Sequence, residues 1–521
     1  MSAPPEQSNS PSADASRAAK LTKGTLFAAC LSVAIAQLCL TLPAPINGAI
    51  QQEFQASGSQ LAWVATAFIL PTAVLELNFG VIGDIFGRKR LLVLGGLLMA
   101  VGNAVNVFSG SIEWLWTGQV IAGIGAAALF PSSLAVIAAG TTEAKPRAKV
   151  VARWALSMTA AGALGPLVSG GLATWLSFRW AFVPALVIGL VVAVISQVFV
   201  TDSKAPEGRS LDWPGQITVA IALLSVLWAV QEGSEKGFGS AAAIIGFTVA
   251  AVFLVLFVLA ELRSESPMLR LSLLRIPAFA GSSGVGLIGM FGVVGAGYSL
   301  SIRMGAIQHQ SPLRIALPFV ILGGVSLLLA PVLSRLLHQV SVRSLLVGGL
   351  VPMAAGQFWL AFLPITDTSL SSVTGPVFLL GIGLILVITS LTAAAINTVP
   401  PHLTGMASAS TNLVREFGQT LGAAVISAVA MSSADSVLGS RLDQAGLSAA
   451  DRAVADGALA HGGPLALVSA DFGPATDKIF TAAREALAHG LTTGLIACGV
   501  ASLIGALIAL LVVKPDATAR V

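Results

Sequence analysis

The chain has 521 residues, of which 55 % are hydrophobic and only 10 % charged, with a formal net charge of +4. A soluble domain is about one quarter charged, so this composition excludes a water-soluble fold and makes lipid the solvent. The small, scattered basic excess excludes a nucleic-acid-binding surface.

Residues 1–23 are polar and rich in Ser, Pro and Ala, and read as a disordered cytoplasmic tail. The apolar run after Lys23 is too long for a signal peptide, and no small-residue cleavage site follows it. Crossing a hydrocarbon core about 30 Å thick takes about 20 apolar residues. Stretches free of Asp, Glu, Lys and Arg run 24–52, 54–75, 91–112, 114–142, 154–178 and 180–201. The middle of the chain adds 213–231 and 237–260. The last part adds 276–302, 315–334, 344–366, 368–414, 417–434 and 486–513. The 368–414 stretch breaks at Pro400-Pro401, and the span begun after that break finishes in 417–434. These stretches predict an all-α membrane protein with fourteen spans, since only helices or a closed barrel satisfy the backbone in lipid and the runs are too long for barrel strands.

Basic residues fall mostly in alternate loops: Arg17, Lys20 and Lys23, then Arg88, Lys89 and Arg90, then Lys145, Arg147, Lys149 and Arg153. The short opposite loops carry only Arg179, Lys236, Arg303 and Arg314. By the positive-inside rule, both termini are expected in the cytoplasm of a cell-membrane protein. Arg90 to Met99 reads RLLVLGGLLM and Arg343 to Pro352 reads RSLLVGGLVP, a weak internal repeat of the sort transporters built from repeated bundles show. On that guide, 24–201 forms one six-helix bundle, 202–262 carries two inserted helices, and 263–514 forms the second bundle before a short tail, 515–521. Residues 435–487 are expected to be an extracytoplasmic loop, with 447–460 as a surface helix capped by Ser448.

The loop between spans 2 and 3 reads Gly80-Val81-Ile82-Gly83-Asp84-Ile85-Phe86-Gly87-Arg88-Lys89-Arg90. Glycines permit close approach and a tight turn, Asp84 can pair with a cation, and the basic run suits lipid phosphates. The fifth span reads Ala161-Gly162-Ala163-Leu164-Gly165-Pro166-Leu167-Val168-Ser169-Gly170-Gly171, small residues for backbone contact with a proline that bends the helix. The first stretch resembles the loop signature of the major facilitator superfamily, and the second resembles its antiporter motif. Weaker similarities favour the fourteen-span drug:proton antiporter branch: Leu211 to Gly215, Gln231 to Gly237, and Gly405 to Gly422. The resemblance covers about residues 25 to 515 and implies two six-helix bundles plus two inserted helices. It also implies that the first loop is a cytoplasmic latch between the halves, with Ile85 standing where the family often has a basic residue.

Two positions depart from the branch. Its acid in span 1 aligns with Cys39, and its arginine in span 4, before Gly123-Ile124-Gly125-Ala126-Ala127, aligns with Gln119. One acid remains deep in this half. Glu76 lies eight residues, about 12 Å, before Asp84, on the face of Gly80 and Gly83. Ionisable groups in lipid are costly and are functional candidates by default. Glu76 is read as a proton carrier or a partner for a cationic substrate, the plainer reading being a neutral glutamic acid hydrogen-bonded between helices. In the second half, Asn412, Arg415 and Glu416 lie within span 13, and with Cys39 and Gln119 they are read as possible cavity residues. Adjacent helical positions diverge by about 100°, so one of Arg415 and Glu416 is expected to face a cavity and the other a neighbouring helix. Trp63, Phe68, Trp154 and Phe358 are possible cavity lining, and Arg303 reads as an outer-end anchor.

The resemblance implies export of small amphiphilic organic compounds by alternating access, with protons moving the other way. A coupling-deficient facilitator, a lipid translocator or a membrane sensor of the same fold are the alternatives. No nucleophile–base set, metal spacing or phosphate loop is present, and Cys30, Cys39 and Cys498 form no CxxC pair, so neither enzyme chemistry nor a cofactor nor a metal is expected. The expected partners are a small organic substrate, protons and membrane lipids, and the chain is expected to act as a monomer.

Overall fold

Each backbone N–H and C=O in lipid needs an internal partner, and among the described residues all regular structure is helical. The structure is a computed structural model that describes residues 21–141, 144–204, 211–264, 267, 269, 271–336, 339–397 and 404–513. The Pro400-Pro401 break, residues 1–20 of the expected first tail and all of the second lie outside them.

The first helix, α1 (Lys23–Thr41), is capped by Thr22, whose Oγ1 accepts Thr25 N at 3.0 Å. The chain bends at Pro43 and Pro45 and resumes as α2 (Asn47–Phe54), which completes the first span. A capping box of Ser57 and Gln60 starts α3 (Gly58–Phe86). Then follow α4 (Arg88–Val107), α5 (Ile112–Ala139), α6 (Ala144–Trp175) and α7 (Val183–Phe199). Two further helices are α8 (Trp213–Lys236) and α9 (Ala241–Arg263). The remainder is α10 (Pro277–Ile302), α11 (Pro312–Leu336), α12 (Val342–Ala361), α13 (Leu370–Asn397), α14 (Thr404–Gln444), the surface helix α15 (Ala449–Gly462) and α16 (Thr476–Val512). Fourteen helical segments among the described residues are long and apolar enough to span a bilayer. Large apolar side chains such as Ile244, Leu254, Leu503 and Leu511 are exposed, as a lipid-facing surface requires.

Neighbour relations repeat. Helix α4 packs against α5 and α7, and α12 packs against α13 and α16. In both, glycines of the repeated sequence bring backbones together. A Cβ on Gly96 would lie 2.8 Å from Ala193 N, and one on Gly349 would lie 3.0 Å from Gly383 O. The segment 435–487 differs from expectation, because α14 continues to Gln444 and α16 already starts at Thr476. Asp435 and Glu485 end the apolar runs, and Arg441, further along α14, pairs with Glu485, its Nη1 3.1 Å from Oε2, joining the two helix extensions. Ser448 does cap α15, its Oγ accepting Asp451 N at 3.1 Å.

The two bundles meet along α3 with α14 and along α6 with α11. At the face away from Asp84, here called the loop face, the contact is tight. A Cβ on Gly48 would lie 2.6 Å from the carbonyl carbon of Gly305. Asn47 Nδ2 donates to Ser301 Oγ at 3.1 Å, and Tyr298 OH donates to Gly58 O at 2.7 Å. His309 bridges Gln52 Nε2 and Val468 O, each at 3.0 Å. Gln51 Nε2 adds bonds to Leu465 O at 3.2 Å and Ser469 Oγ at 3.0 Å.

Arg303 begins a π turn, 303–307, after α10. Its Nη1 donates to Leu363 O at 2.9 Å and its Nη2 to Pro364 O, so it gathers the 363–367 turn. In that turn, the Ser372 hydroxyl and the Ser369 N–H hold the partly exposed Asp367 carboxyl down at about 2. A carboxyl depressed in the folded state contributes stability above its ordinary titration range and loses it as pH falls toward the folded value. Melting of the purified protein between pH 5 and pH 2 is therefore expected to show a destabilisation that Asp367→Asn lacks.

Candidate functional site

The loop motif is built around the start of α4. A helix begins with unpaired N–H groups, and Gly87, at its N-cap, has no side chain to receive one. The partner comes from after α7: Asp202 Oδ1 accepts Lys89 N at 3.3 Å, and Ser203 O accepts Arg88 N at 3.2 Å. Gly87 has φ +118°, and a Cβ there would lie 2.5 Å from Asp202 Oδ2, so glycine is required twice over. Asp84 is buried and pairs with Arg88, Oδ1 to Nη2 at 2.7 Å, while Arg88 Nη1 donates to Ala135 O at 3.2 Å. A Cβ on Gly83 would press on Leu91 at 3.2 Å, whereas one at Gly80 would only touch Pro131 at 3.6 Å. Lys89 and Arg90 show more of their surface than Asp84 does. All these contacts lie within the first bundle. Asp202→Ala is expected to cost about 1 kcal/mol, the loss of a helix cap, read as a lower melting temperature that Asp202→Asn largely restores.

The fifth-span motif packs α6 on two partners. Gly162 lies against Gln37, and Gly165 against Thr41 Oγ1 and Leu38 O of α1. A Cβ on Gly170 would reach Pro312 O of α11 at 2.5 Å, while Gly171 meets only Trp175 of its own helix. Pro166 leaves its carbonyl to the Ser169 hydroxyl at 3.1 Å. Ala163 and Gly323 continue the α6–α11 contact.

Cys39 is buried between α1 and α4, its sulfur 3.6 Å from Asn103 Nδ2. Gln119 is buried in α5. Trp116 Nε1 bonds Gln60 O at 3.1 Å and Thr72 Oγ1 bonds Gly123 O at 3.0 Å, so Gln119 lies level with residues 60–72, nearer the loop face than Glu76. Phe68 is packed in the core and Phe358 sits on Gly499. Trp63 leans on Trp116 with ring centroids 6.4 Å apart, and Trp154 Nε1 donates to Ser133 Oγ at 3.0 Å.

Glu76 meets Glu416. Their carboxyls come together across the α3–α14 contact, within reach of the Arg415 guanidinium. All three residues are partly exposed, as is Asn412 one turn away. Adjacent positions do diverge on a helix, yet the long Arg415 side chain brings its charge to the same place. A carboxylate has only acceptors, so a hydrogen bond between two carboxyls would require one of them to carry a proton. Glu416 Oε2 and Arg415 Nε are buried and make no hydrogen bond among the described residues. This juxtaposition was not readable from sequence, because the residues are more than three hundred positions apart. Neither were Asp202, Tyr298 or His309, whose roles arise from contacts between distant segments.

Residues 29–423 match the sequence model of the Major Facilitator Superfamily. The multidrug efflux pump LfrA of Mycolicibacterium smegmatis is 29 % identical over 400 residues, which cover 77 % of this chain and 78 % of that protein. The tetracenomycin C resistance and export protein of Streptomyces glaucescens is 26 % identical over 405 residues, 77 % of this chain and 74 % of that one. Among solved structures, a POT family transporter in complex with 5-aminolevulinic acid superposes with a TM-score of 0.64 at 13 % identity, covering 95 % of this chain and 96 % of that one. At that identity the likeness concerns the fold alone.

Proposed function

The chain belongs to the Major Facilitator Superfamily, and on that footing we propose that it exports small amphiphilic organic compounds by alternating access, exchanging them for protons at the Glu76–Glu416 pair. What carries the proposal is the carboxyl pair itself, one member on each bundle, with a single guanidinium beside it. With one shared proton, the two carboxyls and Arg415 sum to no net charge. Loss of that proton leaves one negative charge, which a monovalent organic cation neutralises. Proton and cargo then compete for the same group, which couples their opposite movements. Rocking of the bundles moves α3 relative to α14 and so makes and breaks the carboxyl contact. Both termini lie in the cytoplasm in this reading, because the basic residues Arg88 to Arg90 and Arg147 to Arg153 share that face. The names of the relatives, a multidrug efflux pump and an antibiotic resistance and export protein, support efflux as the direction.

A second reading rests on Cys39 and Gln119, which occupy the family's usual acid and base positions without ionised groups. It makes the chain a facilitator or a sensor. Purified protein in liposomes distinguishes the two. Uptake of lipophilic cations and neutral amphiphiles is measured with and without an imposed pH gradient. Accumulation against a concentration gradient, dependent on the pH difference, supports exchange. Equilibration without accumulation, or binding without flux, overturns it.

A further inference from the structure

Helices α8 and α9 have no counterpart in the repeat, and α9 shows lipid most of its surface. Helix α8 does something more specific. It lies in the outer groove between α3 and α14, the two helices that carry the carboxyls. Gln216 is buried and its Nε2 donates to Val74 O at 3.0 Å, two residues before Glu76. One apolar cluster joins Leu70 and Val74 of α3, Leu223 and Leu227 of α8, and Leu421 and Ala424 of α14. A second joins Val219 of α8, Phe257 of α9 and Leu269 to Phe417, the neighbour of Glu416. The first turns of α8 therefore stand behind the carboxyl pair on its lipid side.

The attachments of α8 are unequal. Toward the second bundle it has the α14 contact along three turns, at 219, 223 and 227 against 417, 421 and 424. Its partner α9 is tied the same way, since Glu261 Oε2 accepts Leu269 N at 3.1 Å just before α10. Toward the first bundle, among the described residues, it has the side-chain hydrogen bond from Gln216 and the Leu70–Val74 surface. The contact of α8 with α14 is the more extensive of the two, so its contact with α3 resists sliding less.

We propose that the α8–α9 pair travels with the second bundle and forms the lipid-side wall of the carboxyl pair, with Gln216 as the contact that slides on α3. This rests on the alternating-access reading above. The inserted helices then keep the pair screened from hydrocarbon while α3 and α14 change register, and they close that flank to lipid.

Distances between spin labels test it in the full chain in nanodiscs, with Cys30 replaced by alanine and the buried Cys39 and Cys498 left in place. Labels go on the exposed positions Ile217, Phe86 and Ser436, in the pairs 217/436 and 217/86. A third pair, Phe108 and Phe362, both strongly exposed at the loop face, reports rocking itself. Spectra are taken at pH 5.5 and pH 8.5, with and without tetraphenylphosphonium. When the 108/362 distance changes, 217/436 is expected to stay fixed and 217/86 to shift by on the order of one helical turn, about 5 Å. A fixed 217/86 distance with a moving 217/436 distance overturns the proposal while leaving rocking intact. A 108/362 distance that never changes defeats the alternating-access reading, and this inference with it.

Discussion

Glu76→Gln is expected to reduce pH-gradient-driven efflux by at least about tenfold, equivalent to 1.4 kcal/mol or more, while the protein folds and still binds cargo. Glutamine has nearly the same shape, and its amide can donate to Glu416 as the protonated acid does, so packing between α3 and α14 survives. It cannot release a proton, so the exchange step is lost. Glu416→Gln is expected to behave alike, because the proton belongs to the bond rather than to one residue. Arg415→Gln is expected to differ, leaving two carboxyls without their cation and altering cargo preference along with rate. Asn412→Ala, one turn away, serves as a mild control. The measurement is efflux in liposomes at several imposed gradients, beside melting temperature and cargo affinity. Undiminished gradient-driven efflux in both glutamine variants would remove the pair from coupling.

Gly48→Ala is expected to open the loop face. The added Cβ would lie 2.6 Å from the carbonyl carbon of Gly305 and 2.7 Å from its Cα, and backbone cannot yield as a flexible side chain does. Overpacking of this kind costs about 1–3 kcal/mol. The strain falls only on the closed loop face, because Gly48 and Gly305 sit on different bundles. At tenfold per 1.4 kcal/mol, the equilibrium moves away from that state by a factor of about 5 to 150. Gly305→Ala is expected to do less, its Cβ coming no nearer than 3.1 Å to Gly48. A thiol reagent added from the loop face, against a cysteine at Ser301, reads the change: faster labelling in the Gly48 variant, with slower transport. Labelling and transport both at the native level would mean that this glycine contact does not hold the face shut.

The sequence determined the solvent, the helical class, the number of spans and the family resemblance, because each follows from runs of neighbouring residues. Long uncharged stretches can only be helices in lipid, and Gly80 to Arg90 and Gly162 to Gly171 announce themselves by local spacing. Chain order misled where charges looked like an end: Asp435 and Glu485 stop the apolar runs, yet both helices continue past them and Arg441 pairs with Glu485. Tertiary structure alone decided which lone acid meets which. Glu76 was visible as an anomaly, but its partner was not, since nothing in the spacing of residues 76 and 416 records the α3–α14 contact. The same holds for Asp202 capping α4 and for α8 behind the carboxyls. A charge in a low-dielectric interior is defined by what lies a few ångströms away, and that distance is fixed by packing between helices far apart in the chain.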